Sequence, residues 1–178
     1  VAGEKDDLDP RFSHTPNRLC RVGAHGVALK WPNDVLCGGR KVAGILAEMA
    51  TMGQKIGHAV VGVGINVRHR AMDFPAEMEA TATSIEIAAG RQVDRGEGAA
   101  SLYNAMDRWY DVFCHQGTGA ILQQARWRTA TLGRPVTVLA DDQRWQGIAL
   151  DLDTDGALLV RDETGAVRRV LADDVSIR

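Results

Sequence analysis

From Val60 to Val67 the chain reads Val-Val-Gly-Val-Gly-Ile-Asn-Val, a pattern that suits an extended strand. Successive side chains of a strand alternate between the two faces of its sheet. Val61, Val63, Ile65 and Val67 therefore share one face and can enter a core, while Val60, Gly62, Gly64 and Asn66 share the other. Two glycines weaken a strand interior, and the usual reason for them is a bulge or the close approach of another backbone or a ligand. With Asn66 next on that face, the strand presents a floor bare of side chains that ends in an amide able to donate and accept hydrogen bonds.

A second segment, Gly39-Arg40-Lys41-Val42-Ala43-Gly44-Ile45-Leu46, reads as another strand. Strict alternation puts Lys41, Ala43, Ile45 and Ala47 on one face and Val42, Gly44, Leu46 and Glu48 on the other. Lys41 is then a cation on a small or apolar row, either part of a site or a lysine that snorkels to water; spacing alone leaves both open. Gly38-Gly39 reads as a turn, because paired glycines supply positive φ at no steric cost. Val35-Leu36-Cys37 and the segment from Lys41 onward become hairpin arms, which makes Asp34 and Lys41 neighbours of opposite charge. Upstream, Lys30-Trp31-Pro32-Asn33-Asp34 predicts a strand over Val27–Trp31 that ends in a turn with Asn33 and Asp34 exposed at its tip. Asp34 has three readings: a magnesium contact, an acceptor for a ligand hydroxyl, or an ordinary turn aspartate.

Together these three segments resemble the central part of the catalytic domain of biotin protein ligases, over roughly Val27 to Arg178. The resemblance implies ATP-dependent conversion of biotin to biotinyl-5′-adenylate and pyrophosphate, then transfer of the biotinyl group to a lysine of a biotin carboxyl carrier domain, with ATP and Mg2+ as cofactors. Negative charge crowds at the reacting centre when a carboxylate meets the α-phosphate, so a fixed cation is required. Lys41 matches the family lysine that contacts the biotin carboxylate and the adenylate, and is the catalytic candidate. Lys30, Asp34 and Asn66 match ATP contacts, with Asp34 as the magnesium contact, while Gly44, Gly62, Gly64 and Ile65 match positions along the biotin and adenylate pocket. The mixed anhydride is itself the activated species, so no covalent enzyme nucleophile is implied.

Family members carry, ahead of the Lys-Trp-Pro strand, a Ser/Thr-Asn biotin-recognition segment and a Gly-Arg-Gly-Arg-x-Gly-Arg loop. Residues 1–26 hold instead Glu4-Lys5-Asp6-Asp7 and Arg18-Leu19-Cys20-Arg21, and residue 1 is valine. The expectation is a ligase core without that recognition segment. Those 26 residues are also too few for the helix-turn-helix that some biotin ligases use as repressors. The net charge of −2 gives no electrostatic footprint for nucleic acid. No apolar run approaches the roughly 20 residues of a membrane span, and with no secretory signal the cytoplasm is the default. Cys20, Cys37 and Cys114 are odd in number and widely spaced, which fits neither a disulfide framework nor a Cys-x-x-Cys metal site.

The middle of the chain predicts helices. Thr83 or Ser84 begins a short one that stops at Gly90. Phe74-Pro75, Glu77 and Glu79 suggest a mobile surface loop before it. Ala99, Leu102, Met106, Trp109, Tyr110 and Phe113 recur at three- and four-residue intervals, an amphipathic helix of about four to five turns whose aromatic stripe is expected in the core. A further helix spans about Ala120 to Arg128. After Leu132-Gly133-Arg134-Pro135 the pattern turns to short strands, Val136–Leu139, Arg144–Leu150, Ala157–Val160 and Val167–Val170, separated by turns at Ala140–Asp142, Asp153–Gly156 and Glu163–Gly165. Asp151, Asp153 and Asp155 invite a calcium reading, but the loop lacks the terminal glutamate, so a hairpin turn is expected.

The expected fold is α+β: a mixed-sheet, class II synthetase-like biotin/lipoate ligase core followed by a small SH3-like barrel. The expected divisions are 1–26, a non-matching segment; 27–131, the catalytic part; and 132–178, the barrel, too small to bury much core without packing on its neighbour. Two other functions stay open, a non-catalytic remnant that keeps the fold and binds, and a lipoate ligase of related fold. Exposed edge strands also leave room for a homodimer.

Overall fold

The computed structural model describes residues 26–52, 55–140 and 143–171. The expectations for residues 1–25, including Cys20, and for the Asp141-Asp142 turn lie outside the described residues.

Two four-stranded sheets organise the chain, and both are antiparallel throughout. The first comprises β1 (Val27–Lys30), β2 (Asp34–Cys37), β3 (Arg40–Met52) and β4 (Lys55–Ile65), in that spatial order. Its parallel element is confined to isolated bridges, Leu29 with Thr129 and Lys41 with Ala82. Gly38 and Gly39 turn β2 into β3 with φ of 58° and 77°, the left-handed pair that a two-residue hairpin matched to strand twist requires. A bulge breaks the expected alternation on β3. Val35 pairs with Ala43 and Leu36 with Lys41, so Val42 is an extra residue with no partner on β2. Val42 and Ala43 are consequently both buried, where strict alternation had put them on opposite faces.

The first sheet has a small core. Cys37, Val42 and Ala43 form its centre, with Val35, Ile65, Ile85 and Ala88 against them. Val63 and Ile65 are half-buried as expected, but Val61 is exposed. Farther along the β3–β4 arm, Leu46 is 62% and Met49 68% exposed. The arm runs beyond the helices that cover the sheet near its base, so apolar composition there does not produce burial.

Between the sheets the chain is largely helical. Residues before Thr83 fold into two 3-10 turns, Ala71–Asp73 and Ala76–Met78, in place of the expected loop. Ser84 caps α1 (Ile85–Ala89) by accepting from the Ile87 N–H, and Gly90 ends it at φ 62°, both as the sequence predicts. Asp94 caps α2 (Arg95–Gln116) through the Glu97 N–H. This helix is longer than predicted, and none of its residues is fully buried. Met106, Tyr110 and Phe113 lie exposed, which overturns the expectation of a core stripe. Helix α3 (Thr118–Arg128) packs on β1 and on the second sheet.

The second sheet is the barrel unit: β5 (Pro135–Ala140), β6 (Gln143–Leu152), β7 (Leu158–Asp162) and β8 (Val167–Val170), in sequence order. Val138, Ala149, Leu158 and Val160 have no exposed surface. One member of this core comes from the first sheet's turn: Trp31 lies with Val136, Val138, Leu158 and Val160, while Leu122, Ala125 and Leu132 close the edge. Among the described residues, no helix is long and apolar enough to cross a membrane.

Candidate functional site

Directly opposed residues of neighbouring strands project from the same face of a sheet. The register pairs Lys30 with Asp34, Asp34 with Gly44, and Gly44 with Gly64. Four of the sequence-derived site residues thus form one row across all four strands of the first sheet. Gly62, opposite Leu46, lies two residues along on the same face.

Lys41 joins this row because of the bulge. Strict alternation separates Lys41 from Gly44; the extra residue Val42 brings them together. A Cβ built on Gly44 would lie 3.4 Å from both Cε and Nζ of Lys41 and 3.8 Å from Asp34 Oδ1. Glycine at this position therefore leaves the lysine room to lie across the strand, and its ammonium reaches Asp34 Oδ1 at 2.5 Å. The Lys41 side chain is 45% exposed and that of Asp34 19%, so Asp34 is not at an exposed turn tip. It begins β2, while Asn33 is exposed. Asp34 Oδ1 is itself sealed from solvent and receives no aligned hydrogen bond, leaving Lys41 as its charge partner.

The backbone around Lys41 is held on both sides. Its N–H donates to Thr81 O at 2.7 Å, and its carbonyl accepts from Thr83 N–H at 2.8 Å. Asn66 closes the neighbouring corner: its N–H donates to Val42 O, its carbonyl accepts from Ile85 N–H, and its Nδ2 donates to Thr83 O at 3.1 Å. The side chain of Asn66 thus ties the end of β4 to the start of α1. Ile65 does not join the row. It pairs with Ala43 and packs in the small core on the opposite face, so only its backbone can line the floor. The Gly64 face is open, with nothing nearer a built Cβ than Gly44 O at 3.9 Å.

Several contributors carried no sequence signal for the site, although Thr83 is a candidate start of α1 in the sequence. Thr83 is fully buried with its Oγ1 unpaired. Arg68 donates through Nε and Nη2 to Val93 O, while Glu86, 3.4 Å from Arg68 Nε, accepts from Val93 N–H. These contacts fix α1 against the segment leading to α2. The partners of Trp31 lie 100 and 125 residues away.

No group of three or more potential ligand side chains gathers for a metal among the described residues. Asp151, Asp153 and Asp155 are drawn to arginines instead: Arg126 faces Asp151 at 2.7 Å, and Arg169 reaches Asp153 at 2.9 Å and also contacts Asp155. The hairpin reading of that turn holds. At Asp34 one carboxylate, 19% exposed and with Oδ1 facing Lys41, fits magnesium only together with substrate phosphates, since that ion keeps most of its water and is commonly held by one or two carboxylates beside them. Chemically, the row offers one cation over a glycine floor, with a second lysine and one carboxylate beside it: a place to hold an anion next to a metal-bound phosphate. Cys37 is free and buried and Cys114 free and exposed.

Residues 20–66 match the model of the biotin/lipoate A/B protein ligase family, and residues 131–178 that of the biotin protein ligase C terminal domain. The bifunctional ligase/repressor BirA of Bacillus subtilis is 30% identical over 151 residues, which cover 84% of this chain and 46% of that protein. A biotin–[acetyl-CoA-carboxylase] ligase of Mycobacterium tuberculosis is 36% identical over 162 residues, 88% of this chain and 55% of that protein. The chain thus spans about half the length of these relatives. Among solved structures, the Aquifex aeolicus biotin protein ligase in complex with biotin and ATP aligns with a TM-score of 0.73 at 27% identity, covering 86% of this chain and 62% of that one.

Proposed function

Since the chain belongs to the biotin protein ligase family, with an α+β ligase part followed by the family's C-terminal domain, we propose that it acts in the ATP-dependent attachment of biotin to a biotin carboxyl carrier domain. In the first step a biotin carboxylate oxygen bonds to the α-phosphorus of ATP, the bond from that phosphorus to the β-bridging oxygen breaks, and pyrophosphate leaves. In the second, the carrier lysine amine attacks the acyl carbon of the mixed anhydride, loses a proton and releases AMP.

The observation that carries this reading is the row Lys30, Asp34, Gly44 and Gly64 with Lys41 lying across it. The Lys41 ammonium, half-exposed and already facing a carboxylate, meets the biotin carboxylate and then the adenylate phosphate. Gly44, Gly62 and Gly64 keep the floor low enough for the ligand to lie against the backbone. Lys30 and Asp34 belong to the ATP side. Magnesium, when bound, draws charge from the phosphates, and Asp34 is the residue that would hold it. Asn66 keeps the corner beside Lys41 in shape. Ile65 contributes backbone alone.

The ligase part is assigned to 27–131 and the barrel to 132–178, with Trp31 as their shared side chain. Two further assignments follow the same reading: the cytoplasm, where ATP and the carrier meet, and pairing of two copies along β1 or β4, the edges of the first sheet. A chain that binds ligand without adenylating it is the second reading, favoured by the open β3–β4 arm with Leu46, Met49 and Val60 exposed.

The test is biotin transfer by this chain with biotin, magnesium-ATP and an apo carrier domain, read by streptavidin blot, with Lys41→Ala as control. Transfer that disappears in the variant supports the enzyme. A folded chain that binds but never transfers supports the second reading, and transfer that survives Lys41→Ala removes Lys41 from the chemistry.

A further inference from the structure

Trp31 sits in the first sheet's Lys30–Asp34 segment, yet its side chain, 9% exposed, belongs to the barrel core with Val138, Leu158 and Val160. Its backbone N–H donates to Thr131 Oγ1 and its indole Nε1–H to Gly156 O, each at 3.0 Å. The seat is itself braced. Thr131 is buried, Ala130 N–H donates to Leu29 O at 2.7 Å, and the Asp153–Gly156 turn is clasped by Arg169. On the other side of Trp31, Asn33 O accepts from Ile45 N–H at 2.9 Å, locking the turn to β3, and Asp34 faces Lys41. Only Pro32 and Asn33 therefore separate a residue whose side chain is fixed in one core from the carboxylate that holds the lysine of the other sheet.

We infer that Trp31 is a positioning residue through which the barrel sets the pose of the Asp34–Lys41 pair. A tryptophan that merely filled the barrel would need partners for both donors, but not partners that tie its own backbone to the segment between the sheets. A buried indole N–H finds a partner, but here the partner lies on a barrel turn and the second bond joins the tryptophan backbone to the interdomain segment. Both bonds fix the direction in which the chain leaves for Asn33 and Asp34.

The test compares variants of the full chain by amide hydrogen exchange at two reporters. One is Ile45, whose N–H is bonded to Asn33 O, and the other Ala149, bonded to Arg134 O inside the barrel. Trp31→Phe keeps an aromatic ring and deletes the indole donor. It should speed Ile45 exchange by about tenfold, the loss expected for one net hydrogen bond. Trp145→Phe, from a residue that packs on the same core but lies on β6, should speed Ala149 and leave Ile45 unchanged. Should Trp31→Phe fail to fold, Thr131→Val, which removes only the acceptor for the Trp31 backbone, carries the same expectation at Ile45. An unchanged Ile45 rate in the variant that folds, or an equal change with Trp145→Phe, overturns the inference.

The catalytic consequence rests on the ligase reading. In adenylation assays Trp31→Phe should lower kcat and raise KM for ATP, because the misplaced pair includes Asp34 on the ATP side. A wild-type chain without adenylation would sink the ligase reading while leaving the exchange result to decide the positioning role by itself.

Discussion

The two sheets have the same number of strands and the same antiparallel order, yet they use their residues in opposite ways. In the barrel, Val138, Leu158 and Val160 are wholly enclosed, whereas on the β3–β4 arm Leu46, Met49 and Val60 are each more than half exposed. Glycine divides in the same manner. A Cβ on Gly147 of β6 would strike Arg161 O at 2.5 Å and Val160 Cγ1 at 2.6 Å, while one on Gly64 would meet nothing closer than 3.9 Å. Gly147 is there because the barrel leaves no space; Gly64 leaves space that the sheet does not use. Identical residue types thus serve internal packing in one sheet and an open surface in the other.

The largest effect that would sharpen this contrast comes from truncating matched leucines. Leu158→Ala should cost about 2–5 kcal/mol, the range for a buried leucine that leaves a cavity, whereas Leu46→Ala should stay within about 0.5 kcal/mol. Chemical denaturation of both variants measures the difference, and equal losses would mean that the arm is covered in solution. On the functional side, Lys41→Ala should reduce adenylation by about 10²–10³ with an unchanged denaturation midpoint. A parallel loss of stability would make the lysine a structural member of its sheet.

The glycines give a smaller pair of effects. Gly147→Ala should destabilise by about 1–3 kcal/mol through overpacking. Gly64→Val should leave stability nearly unaltered while blocking the floor, so thermal melts and adenylation rates should respond in opposite order for the two variants. The smallest effect expected is in acid. Hydrogen bonds from the Thr164 hydroxyl and from Arg168 hold the Asp162 carboxyl below the usual carboxylate range. Arg169 and the neighbouring backbone N–H groups do the same for Asp155, and the Thr154 N–H with Arg169 for Asp153. A carboxyl depressed in the folded state stabilises it fully above the unfolded value of about 4. That contribution is lost as pH falls through the lower folded value. Acid melts should therefore show a declining barrel, with a flatter pH dependence in Asp162→Asn.

Much of the secondary structure was legible because it follows local rules. The Gly38-Gly39 hairpin, the Ser84 cap, the Gly90 stop and the four barrel strands each depend on a few adjacent residues. What escaped depends on long-range contacts or on count. Periodicity marked an apolar face on α2 but could not say what covers it, and Tyr110 and Phe113 lie exposed. Asp34 was expected at a turn tip because Pro-Asn-Asp is a turn sequence, yet pairing with Gly44 draws it into β2. Of the candidate site, Lys41, Asp34 and the glycines were readable as residues of a strand pair. Their common face was not, because alternation across Lys41-Val42-Ala43-Gly44 predicts the wrong side. The partners of Trp31 were beyond any local pattern, since they lie in the last third of the chain.

The bulge at Val42 makes the arrangement of the row a matter of arithmetic. Drawing Val42 into the ladder, so that it rather than Lys41 faced Leu36, would alter no residue at all. It would nevertheless return β3 to strict alternation and carry Lys41 to the side opposite Gly44 and Asp34. In such a segment a one-residue slip of register is more damaging than many substitutions: the site is written partly in the identities of its residues and partly in which of them the ladder counts.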